Sequence, residues 1–364
     1  LVSPMSTPLE QLLRRAVDAN ASDIHLKVGS PPVIRIDGEL RRMQDVERLM
    51  PPDTEAYAQQ IFTQKAANQF NTTNEADFAY GRQDLGRFRV SAYRQRGSVS
   101  LVLRRVVPGV PSLDRIGLPP IVRKLAGEHR GLLVVSGPSG SGRTTTLAAI
   151  VEHINQTRPV SIVTIEDPIE ILFPDKMAVV AQREVGVDVK DFASAIDRAT
   201  RQDADVILVS QLTDASAVVS ALAAAETGHL VLAAMHTSDP VDTVTRLVGM
   251  FPGDRERALR AQLANHLRGV ISQRLIDSAD GTGRVLASEV MTGNKRIAEL
   301  ILGGGEPAQF VETIQDAEFF GMQTFDQSLL DLVKQRRVAV SAALPHVRNN
   351  HDFRAKALEA GVEV

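Results

Sequence analysis

Residues 137–146 read GPSGSGRTTT, one step away from a phosphate-binding loop. In the pattern G-x-x-x-x-G-K-[ST], backbone N–H groups wrap phosphates, the Lys reaches the β/γ-phosphates and the hydroxyl holds Mg²⁺. Gly137, Gly140, Gly142 and Thr144 stand where that chemistry needs them, but Arg143 takes the lysine position. Pro138, Ser139, Ser141 and Thr145 complete a stretch whose glycines permit positive φ and whose following helix would aim its dipole at an anion. The bland reading is a glycine-rich turn. An apolar run before the loop and a helical stretch after it favour the phosphate reading, with ATP or ADP as ligand.

Further polar residues follow later apolar runs. Glu166-Asp167 close "VSIVTIED", where carboxylates would hold Mg²⁺ or orient water beside a triphosphate. Taken alone, they would read as a helix cap or a solvated turn. Ser210-Gln211 close "DVILVSQ", where a phosphate-loop ATPase needs an acid to polarise the attacking water. Gln211 is a degenerate stand-in that bonds water but takes no proton. His229 and His236 bracket "HLVLAAMHT". His236, at the carboxyl end, reads as a γ-phosphate sensor, and His229 reads as packing or as acting across a subunit boundary. Thr144 and Glu166 are the candidate Mg²⁺ ligands. Arg82, Arg87, Arg89, Arg94, Arg96, Arg104 and Arg105 crowd one hairpin. They read as a solvated face, as arginine fingers reaching a neighbour's nucleotide, or as a nucleic-acid patch.

Two kinds of element must position these groups. "DIHLKVG", "PVIRIDG", "RFRVSAYRQ" and "SVSLVLRRV" alternate like antiparallel strands, with turns at Asp37-Gly38 and Gly97. Before them, "TPLEQLLRRAVDANASD" predicts a helix with Thr7 and Glu10 at capping-box spacing and Pro8 at its first position. This gives an N-terminal α+β domain over 1–107 and a Pro/Gly-rich linker over 108–120. From 121 to 364, short apolar strands alternate with helical stretches, the rhythm of a parallel sheet covered on both faces. Beyond "ASEVM" at 287–291 the chain is expected to turn helical. Ligands of such sheets bind at the carboxyl ends of the strands.

The 364 residues suffice for two cores, and a net charge of −3 offers no general attraction to nucleic acid. With no cysteine, disulfides and thiolate metal sites are excluded, which suits the cytosol. The opening residues show no secretory pattern, and no apolar run is long enough to span a bilayer, so membrane association is expected only through a partner.

The ordered set "ASDIHLKVGSPPVIRIDGEL", "GRFRVSAYRQRGSVSLVLR", "SGPSGSGRTTT", "TIEDPIE", "QREVGVD", "TGHLVLAAMHTSDPVDTVTRLVGMFP", "GVISQRL" and "GMQTFDQSLLDL" resembles the PilT-type retraction ATPases of type IV pili over almost the full length. The resemblance implies an α/β chain with an N-terminal PAS-like domain and a RecA-like P-loop ATPase domain. It implies homo-hexameric rings that bind ATP/ADP with Mg²⁺ between neighbouring domains. It also implies a cytoplasmic location, peripheral to the inner membrane through a pilus platform protein. Carried over, the phosphate loop is Gly137 to Thr145, the Asp box includes Glu166 and Asp167, and the His box supplies His229 and His236.

The departures are as informative. Family members carry Lys at position 143 and Gly-Glu-Met-Arg-Asp where this chain has Ser210, Gln211, Leu212, Thr213 and Asp214. The family element A-I-R-x-L-I-R-E is reduced to "RIAELILGG" at 296–304. These changes point to a nucleotide-binding, hydrolysis-poor ring subunit, accessory to a competent PilT-type paralogue. The alternatives are an active retraction motor and a RecA-like nucleic-acid motor.

Overall fold

Leu9, Leu12, Leu13 and Ala16 recur at helical spacing, and all four are buried on one side of the helix Leu9–Asp18. Pro8 is the N-cap of this helix and not its first residue. Thr7, and Asp37 of the expected Asp37-Gly38 turn, lie outside the described residues, which are 8–36, 38–82, 84–106 and 109–362 of this computed structural model. Contacts divide the chain into two units, Leu1–Gly109 with Pro168–Leu172, and Val110–Asp167 with Phe173–Val364.

In the first unit, strands β1 (Asp23–Lys27), β2 (Val33–Ile36), β3 (Glu39–Arg42), β4 (Glu75–Arg82), β5 (Gly86–Gln95) and β6 (Ser98–Val106) form an antiparallel sheet. Its order is β3-β2-β1-β6-β5-β4. Alternation decides the buried face: Phe88, Val90 and Ala92 on β5 and Leu101 and Leu103 on β6 point into the core. Arg96 and Gly97 both have positive φ, which lets β5 turn tightly into β6.

The second unit carries β7 (Gly131–Ser136), β8 (Ser161–Glu166), β9 (Val179–Glu184), β10 (Val206–Val209), β11 (Leu230–Met235), β12 (Leu267–Asp277) and β13 (Arg284–Thr292). Their order is β13-β12-β7-β11-β10-β8-β9, parallel from β12 to β9 with β13 antiparallel at one edge. Every residue of β7, β10 and β11 is buried, as expected for central strands covered on both faces.

Chain order and spatial order differ in this sheet, and the difference sets the geometry of the site. β11 and β12 flank β7, whereas β8, which follows β7 in the chain, stands three strand spacings away, roughly 14 Å. The residues after Met291 do turn helical, but "ASEVM" itself belongs to β13.

Candidate functional site

β7 runs directly into the loop 137–142, and the helix Arg143–Thr157 starts from Gly142, whose φ is +89°. The loop is too tight for side chains at its entrance. A Cβ on Gly137, whose φ is +153°, would lie 2.4 Å from Ser141 Oγ and 2.5 Å from Gln273 O. Pro138, Ser139 and Gly140 are exposed, as are Thr144 and Thr145 on the first turn of the helix. A glycine-bent loop opening a helix of this length presents N–H groups and a positive dipole end to an anion.

The Arg143 side chain folds back across the loop. Its Nη1 donates to Gly137 O and also approaches Met235 O at 3.3 Å. Nη1 lies 2.8 Å from His236 Nδ1, and Nη2 lies 3.0 Å from His236 Nε2. A neutral imidazole offers one bare ring nitrogen, so one of the two imidazole contacts is a hydrogen bond at any time. Burial first, then the charges of Arg143 and Arg246, lower the His236 pKa, which keeps the ring neutral at physiological pH. The loop and the His236 segment thus meet through Arg143, made possible by β11 lying beside β7.

Glu166 ends β8, almost buried. Its Oε1 accepts from Thr164 Oγ1 at 2.7 Å and from Gln182 Nε2 at 3.0 Å. Asp167 N–H donates to Ser210 Oγ at 3.3 Å. Ser210 N–H bonds Ile165 O and Leu212 N–H bonds Ala234 O, so half-buried Gln211 is carried between the ends of β8 and β11. Asp214 caps the helix Ala215–Glu226 by accepting from Ala217 N–H.

Two further groups, which the sequence sets in packing, in a solvated face or across a subunit boundary, have their described partners outside this chain's own phosphate loop. His229 precedes β11 at its amino end, seven residues and roughly 20 Å of strand from His236. There its Nδ1–H donates to Ala224 O at 2.9 Å, which is a helix-to-strand joint and not part of the loop's surroundings. The arginines of the first unit are engaged within that unit. Arg82 pairs with Glu10 at 2.7 Å and Asp84 at 3.2 Å. Arg87 Nε donates to Ile169 O, and Arg89 pairs with Glu170. Arg94 bonds Gly97 O and lies 5.1 Å over the Phe70 ring, while Arg104 pairs with Asp23 and Arg105 bonds Asn20. Arg96 occupies the turn described above.

Sequence reasoning did not single out Gln273. It is fully buried on β12, and its Nε2 donates to Ser141 O at 2.7 Å. The available signal was the polar run Ser272-Gln273-Arg274 interrupting an apolar strand beside the loop. Glu289 on β13 was also missed. It is completely buried, accepts from Arg348 at 2.9 and 3.1 Å and from Phe325 N–H at 3.1 Å. Burial pushes its carboxyl up to about 7 against the opposing pull of Arg348.

Residues 2–325 match the model of the Type II/IV secretion system protein family. A Pseudomonas aeruginosa protein described as type IV pilus retractation ATPase PilT is 38% identical over 325 residues, covering 89% of this chain and 94% of that one. The chain belongs to this family, as a PilT-type secretion ATPase. Another relative from the same organism, described as type IV pilus ATPase PilU, is 34% identical over 345 residues, covering 95% and 90% of the two chains. The crystal structure of the pilus retraction motor PilT with bound ADP superimposes with a TM-score of 0.87 at 38% identity, covering 96% of this chain and all of that one. The α/β architecture, with an N-terminal PAS-like domain followed by a RecA-like ATPase domain, is that of the family. No helix among the described residues is long and apolar enough to cross a membrane.

Proposed function

We propose that this PilT-type chain is a nucleotide-binding, hydrolysis-poor subunit of a type IV pilus retraction ring, accessory to a competent motor. The observation that carries the reading is the Arg143 guanidinium, bonded to Gly137 O and His236 at the position where the family's lysine serves the phosphates. The loop fits a phosphate chain by its steric demand for glycine at position 137 and by the helix N-terminus behind it. ATP would supply the cleavable phosphoanhydride, with Mg²⁺ held by its phosphates and Thr144. Glu166, three strand spacings from β7 and bonded to Thr164 and Gln182, would orient water and not share that ion, unlike the metal role read from the sequence. Loop N–H groups and the first helical turn would orient the phosphates.

Gln211 would hold a water between the ends of β8 and β11, but an amide accepts no proton. Loss of a positioned base costs about 10²–10⁴ in rate, and loss of a preorganised phosphate contact roughly 10²–10³. The two losses act on one transition state and do not simply multiply.

The relative with bound ADP supports ATP/ADP as ligand, and relatives named PilT and PilU in one organism support a paralogous partner. By family analogy the assembly is a homo-hexamer or mixed ring, on the cytoplasmic side of an inner-membrane platform protein. Glu166, Asp167 and His236 are retained, and they favour a second reading, a working retraction motor. ATP turnover separates the two. The wild-type chain should turn over ATP at least tenfold more slowly than the double variant Arg143→Lys/Gln211→Glu, a gap set by the rate costs above. Equal turnover would restore the motor reading.

A further inference from the structure

β12 runs parallel to β7 with Ser272 level with Ser136, and their hydroxyls are 2.6 Å apart. The next residue, Gln273, is therefore level with the entrance of the phosphate loop. Its carbonyl oxygen is the atom that a Cβ on Gly137 would approach to 2.5 Å. Its side chain reaches the exit: Nε2 donates to Ser141 O and would lie 3.2 Å from a Cβ on Gly142. One residue touches both ends of the loop.

The bond to Ser141 O has a geometric consequence. A trans peptide is planar, with its C=O and N–H on opposite sides. Holding Ser141 O toward Gln273 turns the Gly142 N–H the other way, away from β12. The other amide atom, Gln273 Oε1, is buried with no hydrogen-bond partner among the described residues, as is Ser141 Oγ. A buried, unpaired acceptor is costly, and such groups are kept where something other than stability requires them. Leucine would fill this volume and remove that orphan, but it would take the donor from buried Ser141 O and leave the loop untethered.

We propose that Gln273 is a positioning residue of the phosphate site: it sets the plane of the Ser141–Gly142 peptide and so aims the loop N–H groups at the nucleotide's phosphates. The proposal rests on the nucleotide reading given above. It assigns Gln273 no contact with the ligand.

The test compares the wild type with Gln273→Leu, which keeps volume but deletes donor and orphan acceptor, and Gln273→Asn, which keeps the amide but lacks the reach. Binding of ADP and of ATP with Mg²⁺ is measured by calorimetry, melting temperature without nucleotide, and amide exchange over the loop. Both variants should bind either nucleotide about tenfold more weakly. Gln273→Leu should melt close to wild type, because an orphaned Ser141 O replaces the orphaned Oε1, and faster exchange should be confined to residues 139–144. Wild-type affinity in both variants, or a lost affinity matched by lower melting and faster exchange across the sheet, would overturn the proposal. If Gln273→Leu does not fold, its orphan acceptor was not the cost argued here, and the proposal falls. If the wild type binds no nucleotide, the functional reading fails instead, and loop exchange alone then decides whether Gln273 holds the peptide.

Discussion

Replacing Arg143 by lysine should tighten ATP binding, although it removes hydrogen bonds that the folded chain makes. For its guanidinium to serve a phosphate, Arg143 must release His236, whose ring nitrogens lie 2.8 and 3.0 Å away. Only one of those contacts is a hydrogen bond at a time, so one charge-assisted bond is forfeited, about 1.5–3 kcal/mol. At about 1.4 kcal/mol per tenfold, that competition weakens ATP binding by about ten- to a hundredfold. A lysine ammonium is compact and cannot span Gly137 O and the imidazole together, so little of this competition survives. Calorimetry with ATP and Mg²⁺ at pH 8, where the lowered His236 pKa leaves the ring neutral, should show a Kd at least tenfold lower in Arg143→Lys. His236→Ala should recover part of the same gain in the wild-type chain and add little to Arg143→Lys. An Arg143→Lys variant that binds ATP no better than wild type would refute the competition.

Glu289 should make the fold less stable as pH rises. Its carboxyl is raised from 4.5 to about 7, so between those values the folded chain binds more protons than the unfolded one. Stability then falls across that window by roughly 3 kcal/mol, at 1.36 kcal/mol per pKa unit. Arg348 and the Phe325 N–H oppose the shift, and Asp239 adds to it. Denaturant unfolding from pH 5 to 8 should lose this slope in Glu289→Gln, and parallel wild-type and variant curves would contradict the assignment. Gly137→Ala should cost about 3 kcal/mol from overpacking and strain at a φ of +153°, with nucleotide binding lost. An alanine variant that melts and binds like wild type would show that the loop has more room than its geometry indicates.

The phosphate loop was legible because its glycine spacing is local and survives without knowledge of neighbours. β7, β10 and β11 were legible for a similar reason, since strands buried on both faces read as unbroken apolar runs. β9 was not: Val179–Glu184 is an edge strand whose one buried residue is Glu184, and edge strands carry little apolar signal. The helices Pro51–Ile61 and Gln64–Thr73 were missed because so few of their residues are large and apolar. Strand order was the costlier gap. Glu166 follows the next strand in the chain, yet β11 and β10 lie between that strand and β7, while β11 delivers His236 beside the loop. Gln273 and Glu289 were illegible for a different reason. A lone polar residue in an apolar strand has meaning only through its partner, here Ser141, 132 residues away, and Arg348, 59 residues away.

The altered stretch after β10 bears on whether the chemistry or the scaffold has changed. Ser210 accepts the Asp167 N–H and bonds Ile165 O through its own, tying this turn to the end of β8. Leu212 is buried and its N–H bonds Ala234 O, tying the same turn to β11. Asp214 caps the following helix. The residues around position 211 are therefore built into a complete frame, and Gln211 is the member of that frame with a side chain of the wrong acid–base chemistry. Arg143 stands in the same relation to the loop: the glycines, the helix start and the tether from Gln273 are in place, and the side chain at one position differs. If both frames are intact, Arg143→Lys and Gln211→Glu restore chemistry without rebuilding structure. Their combined gain in turnover should then exceed the product of the separate gains, because both act on one transition state. A double variant with only the product of the single gains would show the two groups acting independently, and one with no gain would place the defect in the scaffold, in the turn held by Ser210 and Leu212.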